Sequence, residues 1–252
     1  MKQIENIRKM QIDANGEFSH TNNEKFLLDR VVVTDDDRAF AQKILSCNLQ
    51  IRNYEGLAEV LKNVAKKGAN KQHTAYVIVG NIGSGKSTLL HALLSENFID
   101  GKAQIILEDI YKKLFFNNCS ELKEAYGFAK KFVCEKIKDA VSCHKDFVME
   151  LVPSSVAKLD LVKTFAQIGY KVVIFYVKTA NVDVNVSRVV KRQNEGADFV
   201  SESKVRSRDD LTSANFPELC CHCDELYVFE SQQNEFRLVS SLIDGVKTAT
   251  AV

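Results

Sequence analysis

Gly80-Asn81-Ile82-Gly83-Ser84-Gly85-Lys86-Ser87 carries the spacing G-x-x-x-x-G-K-[ST] of the Walker A phosphate loop. Ahead of it, Ala75-Tyr76-Val77-Ile78-Val79 is apolar and rich in β-branched and aromatic residues, which predicts a buried strand. Behind it, Ser87-Thr88-Leu89-Leu90-His91-Ala92-Leu93-Leu94 predicts a helix. Strand, glycine loop and helix in that order are the context the motif requires. The glycines let successive backbone N–H groups point inward, and the helix N-terminus adds partial positive charge, so the loop is expected to cradle a phosphate chain. Gly80, Asn81, Ile82, Gly83, Ser84, Gly85, Lys86, Ser87 and Thr88 are therefore the expected nucleotide-binding residues. Within them Lys86 reaches the β- and γ-phosphates, and the Ser87 hydroxyl is a ligand for Mg²⁺.

Working outward toward the C-terminus, Ala103 to Leu107 predicts a second strand that runs into Glu108-Asp109. Asp146 to Met149 predicts a third, ending at Glu150. Lys171 to Val177 is the clearest strand in the chain, Glu225 to Phe229 a later one, and Phe236 to Val239 a candidate for one more. Helical spacing fills the gaps at 121–140, 156–168 and 182–193, with a further segment at 203–210; 110–116 reads as a short helix or loop. Alternation of this kind predicts an α/β fold: a P-loop NTPase, three-layer α/β/α, around a mostly parallel sheet of five to six strands. Ligands of such sheets bind beyond the carboxyl ends of the strands, so the glycine loop, Glu108-Asp109 and Glu150 should share one crevice.

Toward the N-terminus, residues 1–36 are polar, with turn signals at Asn15-Gly16 and Asn22-Asn23. Asp35-Asp36-Asp37 can cap a helix from Arg38 to Leu45, with a divalent cation on the triplet as the alternative. Leu57 to Lys67 predicts an amphipathic helix stopped by Gly68. These helices are expected against the edge or back of the sheet. The chain thus divides into an N-terminal helical extension (1–54), a core (55–245) with a lid at about 192–210, and a flexible tail (246–252).

The 252 residues suffice for one large core; 45% are hydrophobic and 27% charged, ordinary for a globular protein. A net charge of +1 argues against a nucleic-acid partner, which calls for a basic stripe. No apolar run approaches the ~20 residues of a membrane span, and the first residues lack a signal-peptide core, so the expectation is a cytoplasmic protein without a membrane partner. The seven cysteines are expected to be reduced, and Cys220-Cys221-His222-Cys223 to pack rather than bind metal, since adjacent ligands share one tetrahedral ion poorly.

A phosphate loop serves motors, switches and kinases alike. The base-reading N-K-x-D of a GTPase is missing from its place after the loop, since Asn70-Lys71 precedes it, and no L-S-G-G-Q transporter signature occurs. An acid at the end of the next strand and a late arginine-rich stretch instead match phosphoryl transfer. Asp109 would orient and deprotonate an acceptor hydroxyl, while Arg188, Arg192, Arg206 and Arg208 form a lid over the migrating phosphoryl group. The rival is a Walker B strand, with Asp109 on Mg²⁺ and Glu108 activating water.

The sequence resembles the zeta-toxin family of P-loop kinases over about residues 55–231. Asp109-Ile110-Tyr111-Lys112 is similar to the family's D-[ST]-F-[RK], Glu150 stands at its strand-end glutamate, and Gly169-Tyr170-Lys171-Val172 matches its G-Y-x-V. Ser187-Arg188-Val189-Val190-Lys191-Arg192, then Gly196, then Val200 to Arg208, resembles A-R-V-x-x-R…G-x-x-V-P-E-x-x-I-R-R-R. Pro217-Glu218-Leu219 and Asp224 to Phe229 continue the match. The resemblance implies a kinase dependent on ATP and Mg²⁺, acting on a small-molecule acceptor such as the sugar 3′-hydroxyl of UDP-N-acetylglucosamine, with an antitoxin as candidate protein partner. Carried across, Asp109 is the base, Glu150 touches the acceptor, and Arg192 with Arg206 or Arg208 clamps the γ-phosphate. Two stretches depart from the family: its E-G-T or E-T-T turn becomes Glu150-Leu151-Val152-Pro153-Ser154, and its H-D-V-P becomes Asp198-Phe199-Val200-Ser201. Both fall on the acceptor side.

Overall fold

The computed structural model describes residues 9–11, 20–31, 33–46, 54, 56–65, 73–116, 122–232, 235–243 and 246–249. The strand ahead of the glycine loop is β2 (Thr74–Gly80), preceded in the chain by β1 (Lys9–Gln11). It is followed by β3 (Gln104–Ile106), β4 (Phe147–Leu151), β5 (Lys171–Lys178), β6 (Glu225–Ser231), β7 (Glu235–Ile243) and β8 (Val246–Ala249). These strands make one sheet in the order β1-β7-β6-β5-β2-β4-β3. The five from β3 to β6 are mutually parallel, as the strand–helix alternation demands. Antiparallel β7 is the expected sixth, and β1 and β8 both pair with it, lengthening the sheet to eight strands. Val77, Ile78 and Val79 are all fully buried although their side chains alternate in direction, so both faces of β2 are covered.

The helices are α1 (His20–Leu28), α2 (Asp35–Ser46), α3 (Leu57–Val64), α4 (Lys86–Ser95), α5 (Glu108–Phe116), α6 (Leu122–Ser142), α7 (Val156–Gln167), α8 (Val182–Asn194) and α9 (Glu202–Cys220). Several expectations need correction. Asn22-Asn23 lies inside α1 rather than in a turn. The N-terminal helices join the helical layer instead of the sheet: α1 packs on α4, α2 on α6, and α3 on α6 and α7. The contacts explain this, since Phe26 stacks on His91 at 3.5 Å, and Asp37 pairs with Lys136 at 2.9 Å. Asp37 also exchanges hydrogen bonds with Thr34, a reciprocal cap that occupies the carboxylate. The acidic triplet is thus a helix start, and the extension is not wholly helical, because Lys9–Gln11 is a strand. Nor is the tail wholly loose, since Val246–Ala249 pairs with β7. Helix α3 ends at Val64, where Ala65 turns extended, and α9 runs through Pro217 to Cys220, far past residue 210. Asn15-Gly16, Gly68, Asn70-Lys71, Cys47 and Cys119 lie outside the described residues.

Candidate active site

The loop between β2 and α4 has no room for other residues at its glycines. A Cβ on Gly80 would sit 2.5 Å from the Val177 carbonyl oxygen. Gly83 has φ +81°, and a Cβ there would lie 2.6 Å from the Asn185 carbonyl oxygen. Lys86 folds back to donate to the Asn81 carbonyl at 2.8 Å, and the buried Ser84 hydroxyl has no partner. Those are the groups that an anion in the cradle would engage.

Asn81 ties the loop to the lid. Its carboxamide donates to the Val205 carbonyl at 3.1 Å and to the Asp209 carboxylate at 2.9 Å, both on α9, and its oxygen accepts from the Ile82 amide at 2.7 Å. Asp209 also accepts from Asn185 at 3.4 Å, and Asn185 from the Thr179 hydroxyl at 3.1 Å. Arg188 donates to Ser84 O (3.3 Å), Ser231 Oγ (2.9 Å) and Gln232 O (2.8 Å), so it braces the loop against the end of β6.

One turn further along α8, Arg192 turns the same way. It acts electrostatically on both Lys86 and Glu150, and its buried Nε has no partner. Glu150 sits on β4 opposite Ile78 of the loop strand and accepts a hydrogen bond from the Ser87 hydroxyl. Burial pushes the Glu150 carboxyl above the ordinary range, against the pull of Lys86 and Ser87. Burial lowers the Lys86 ammonium, opposed by Glu150 and Asp109. Asp109 is exposed on the first turn of α5 and within electrostatic reach of both. The structure thus brings Lys86, Ser87, Glu150, Arg192 and Asp109 together, with Thr88 half-buried in the first turn of α4 beside them.

The two late arginines separate. Two residues apart on a helix, Arg206 and Arg208 point some 200° around the axis from each other. Arg206 lies outside the site, in exposed ion pairs with Asp183 and Glu202 at 2.7 Å each. Arg208 faces inward and donates to the Ser154 hydroxyl, while Asn215 donates to the Pro153 carbonyl at 2.7 Å. The divergent turn after β4 is therefore held by α9.

Three further sets of contacts escaped sequence reasoning. Lys158, on the first turn of α7, donates to the Val152 carbonyl at 2.9 Å and lies within electrostatic reach of Glu108, Arg208, Lys130 and Lys86. Burial lowers its ammonium to about 8, opposed by Glu108 and reinforced by Arg208. A cation in a helix's first turn opposes the helix dipole, and that was the available signal. Tyr54 donates to Glu108 at 3.3 Å, and burial raises the Glu108 carboxyl. Lys112, Tyr126 and Asp198 form a third cluster, with Tyr126 donating to Asp198 at 2.9 Å.

A parallel sheet whose central strand enters a glycine cradle, with lysine, arginine and carboxylate converging beyond it, defines the class of P-loop phosphotransferases. The zeta toxin family profile matches residues 57–209, more than half of the sequence, and the chain belongs to the zeta toxin family. Family and fold make it a kinase-type enzyme. The AvrRxo1-ORF1:AvrRxo1-ORF2 structure with sulphate ions shares the fold at a TM-score of 0.57 and 16% identity, over 95% of this chain and 77% of that one. The same assembly with ATP gives 0.53 and 14%, over 92% and 74%. The Pnkp1/Rnl/Hen1 RNA repair complex gives 0.50 and 17%, over 61% and 48%. Among the curated proteins, none matches the sequence. No helix among the described residues is long and apolar enough to cross a membrane.

Proposed function

We propose that the chain transfers the γ-phosphoryl group of ATP to a hydroxyl of a small molecule, with a nucleotide sugar such as UDP-N-acetylglucosamine as acceptor. The observation that carries this reading is Arg192, whose buried Nε has no partner while its charge acts on Lys86 and Glu150. A donor so placed beside the glycine loop is available to an anion that enters the cleft. The ATP-bound AvrRxo1 structure is consistent with ATP as that anion.

In this reading the loop amides and Lys86 hold the phosphate chain, and Arg192 spreads over the phosphoryl group as its bond to the leaving oxygen breaks. The acceptor oxygen attacks phosphorus, its proton passes to the Asp109 carboxylate, and the bonding pair leaves with ADP. Ser87 and Glu150 are a hydroxyl and a carboxylate of the kind that would hold Mg²⁺. When bound, that ion would neutralise phosphate charge. This moves Glu150 from the acceptor to the metal. Arg208, Lys158 and Lys130 then make the acceptor side cationic, suited to a diphosphate-bearing acceptor. An antitoxin-type protein partner belongs to the same reading, supported by the family and by the two-protein AvrRxo1 complex.

The test is incubation with γ-labelled ATP, Mg²⁺ and a metabolite panel that includes UDP-N-acetylglucosamine. One acceptor should be labelled, and Asp109→Ala should lower turnover roughly 10²–10⁴-fold. ATP binding abolished by Lys86→Ala, with no acceptor labelled, would leave a nucleotide-dependent regulatory module in place of a kinase.

A further inference from the structure

The loop joining α8 to α9 is folded back on the helix turn that bears Arg192. Gly196 N donates to Gln193 O at 3.0 Å, Ala197 N to Arg192 O at 2.9 Å, and Gln193 Nε2 to Val200 O at 2.8 Å. From this compact loop Asp198 reaches across the cleft to α5. Its carboxylate pairs with the Lys112 ammonium and accepts the Tyr126 hydroxyl of α6 at 2.9 Å. Lys112 also donates to that hydroxyl at 3.4 Å and lies 4.7 Å from the centre of the Tyr126 ring. The side chains of Lys112 and Asp198 are 11% and 29% exposed, so water screens the pair weakly.

The positions of the partners give the pair its meaning. Lys112 stands one helical turn after Asp109 on α5, so its position and that of the carboxylate are rigidly related. Asp198 is bonded through its loop to the turn of Arg192. We propose that Lys112 and Asp198, completed by Tyr126, are positioning residues that set the separation of Asp109 and Arg192 across the cleft. Neither touches the reacting atoms; they act through the two groups that do. This rests on the kinase reading of the cleft. It also accounts for a departure in sequence: Asp198 occupies the histidine position of the family's H-D-V-P, opposite the basic fourth residue of D-[ST]-F-[RK]. A carboxylate there gives Lys112 an opposite charge, and removing either partner leaves the other poorly solvated and without its counter-ion in this pair.

The experiment compares the full-length chain with Lys112→Met, Asp198→Asn and the exchange Lys112→Asp with Asp198→Lys. Two readouts are taken: label transfer from ATP to UDP-N-acetylglucosamine, and amide hydrogen exchange over residues 195–201. Each single variant should lower kcat on the order of 10²-fold, the cost of misplacing catalytic groups by an ångström, with the KM for ATP within about threefold. Amide exchange in the loop should rise about tenfold or more, and the charge exchange should recover both readouts to within about tenfold of the native chain. Unchanged loop exchange in the single variants, or a double variant no better than either single one, overturns the tie. A native chain that labels neither UDP-N-acetylglucosamine nor any other member of the metabolite panel overturns the kinase reading instead, and the amide-exchange arm still decides the tie.

Discussion

The Asn81 carboxamide donates to the Asp209 carboxylate across 2.9 Å, which makes the glycine loop and α9 one hydrogen-bonded unit. Asn81 is 3% exposed, and water cannot replace it. Asn81→Ala removes the second donor from the Val205 carbonyl, which keeps its helical partner, and takes a donor from the Asp209 carboxylate, a loss of about 1–3 kcal/mol. ATP affinity measured by calorimetry is expected to fall about tenfold, the equivalent of 1.4 kcal/mol. Asn81→Asp, which sets two carboxylates face to face, should bind more weakly still.

The arginines sort by direction. Arg192→Met should lower turnover about 10²-fold, the usual cost of removing one donor to developing charge. Arg206→Ala should leave turnover within about twofold, because exposed ion pairs contribute little and its partners face solvent. Equal losses at both positions, read in the same transfer assay, would show that the lid of the working enzyme is not the one described.

Lys158 supplies a pH test. With its ammonium lowered to about 8, the charge is present below that pH and lost above it. The KM for the proposed acceptor should therefore climb between pH 7 and 9.5, while Lys158→Arg holds it flat through the same window. The sign for folding is opposite. A depressed lysine binds fewer protons folded than unfolded, so its contribution to stability grows as pH rises from about 8 toward the ordinary lysine value.

The Asp37–Lys136 pair anchors the N-terminal helices. Burial opposes the Asp37 charge, but hydrogen bonds from Thr34 and Lys136 outweigh it and hold the carboxyl below 3.8. Its contribution is present above that value and disappears as pH falls through the lower folded value. Lys136→Met leaves the carboxylate buried without its cation and should cost about 3–5 kcal/mol, visible as a lower midpoint in urea.

The parallel core was legible because each of its strands is a buried run with a helical pattern on either side. Strand β5, seven of whose eight residues are buried or half-buried, is the plainest case. The strand–loop–helix around the glycines followed from the motif spacing and its apolar flanks. Arg206 and Arg208 could not be told apart because a motif names positions without their angle around a helix, and the end of α9 was missed because Pro217 ordinarily stops one. The Lys112–Asp198 pair joins residues 86 positions apart, beyond the reach of any local pattern. Strands β1 and β8 are too short to show periodicity, and only the free edge of β7 explains them.

That shared edge carries a practical warning. Backbone groups of 235–237 are satisfied by 9–11, and those of 240–243 by 246–249. Trimming either short strand during engineering would uncover a raw ladder next to buried Phe236 and Leu238. The expected result is a catalytically intact but sticky protein, one that seeks a second molecule to zip onto.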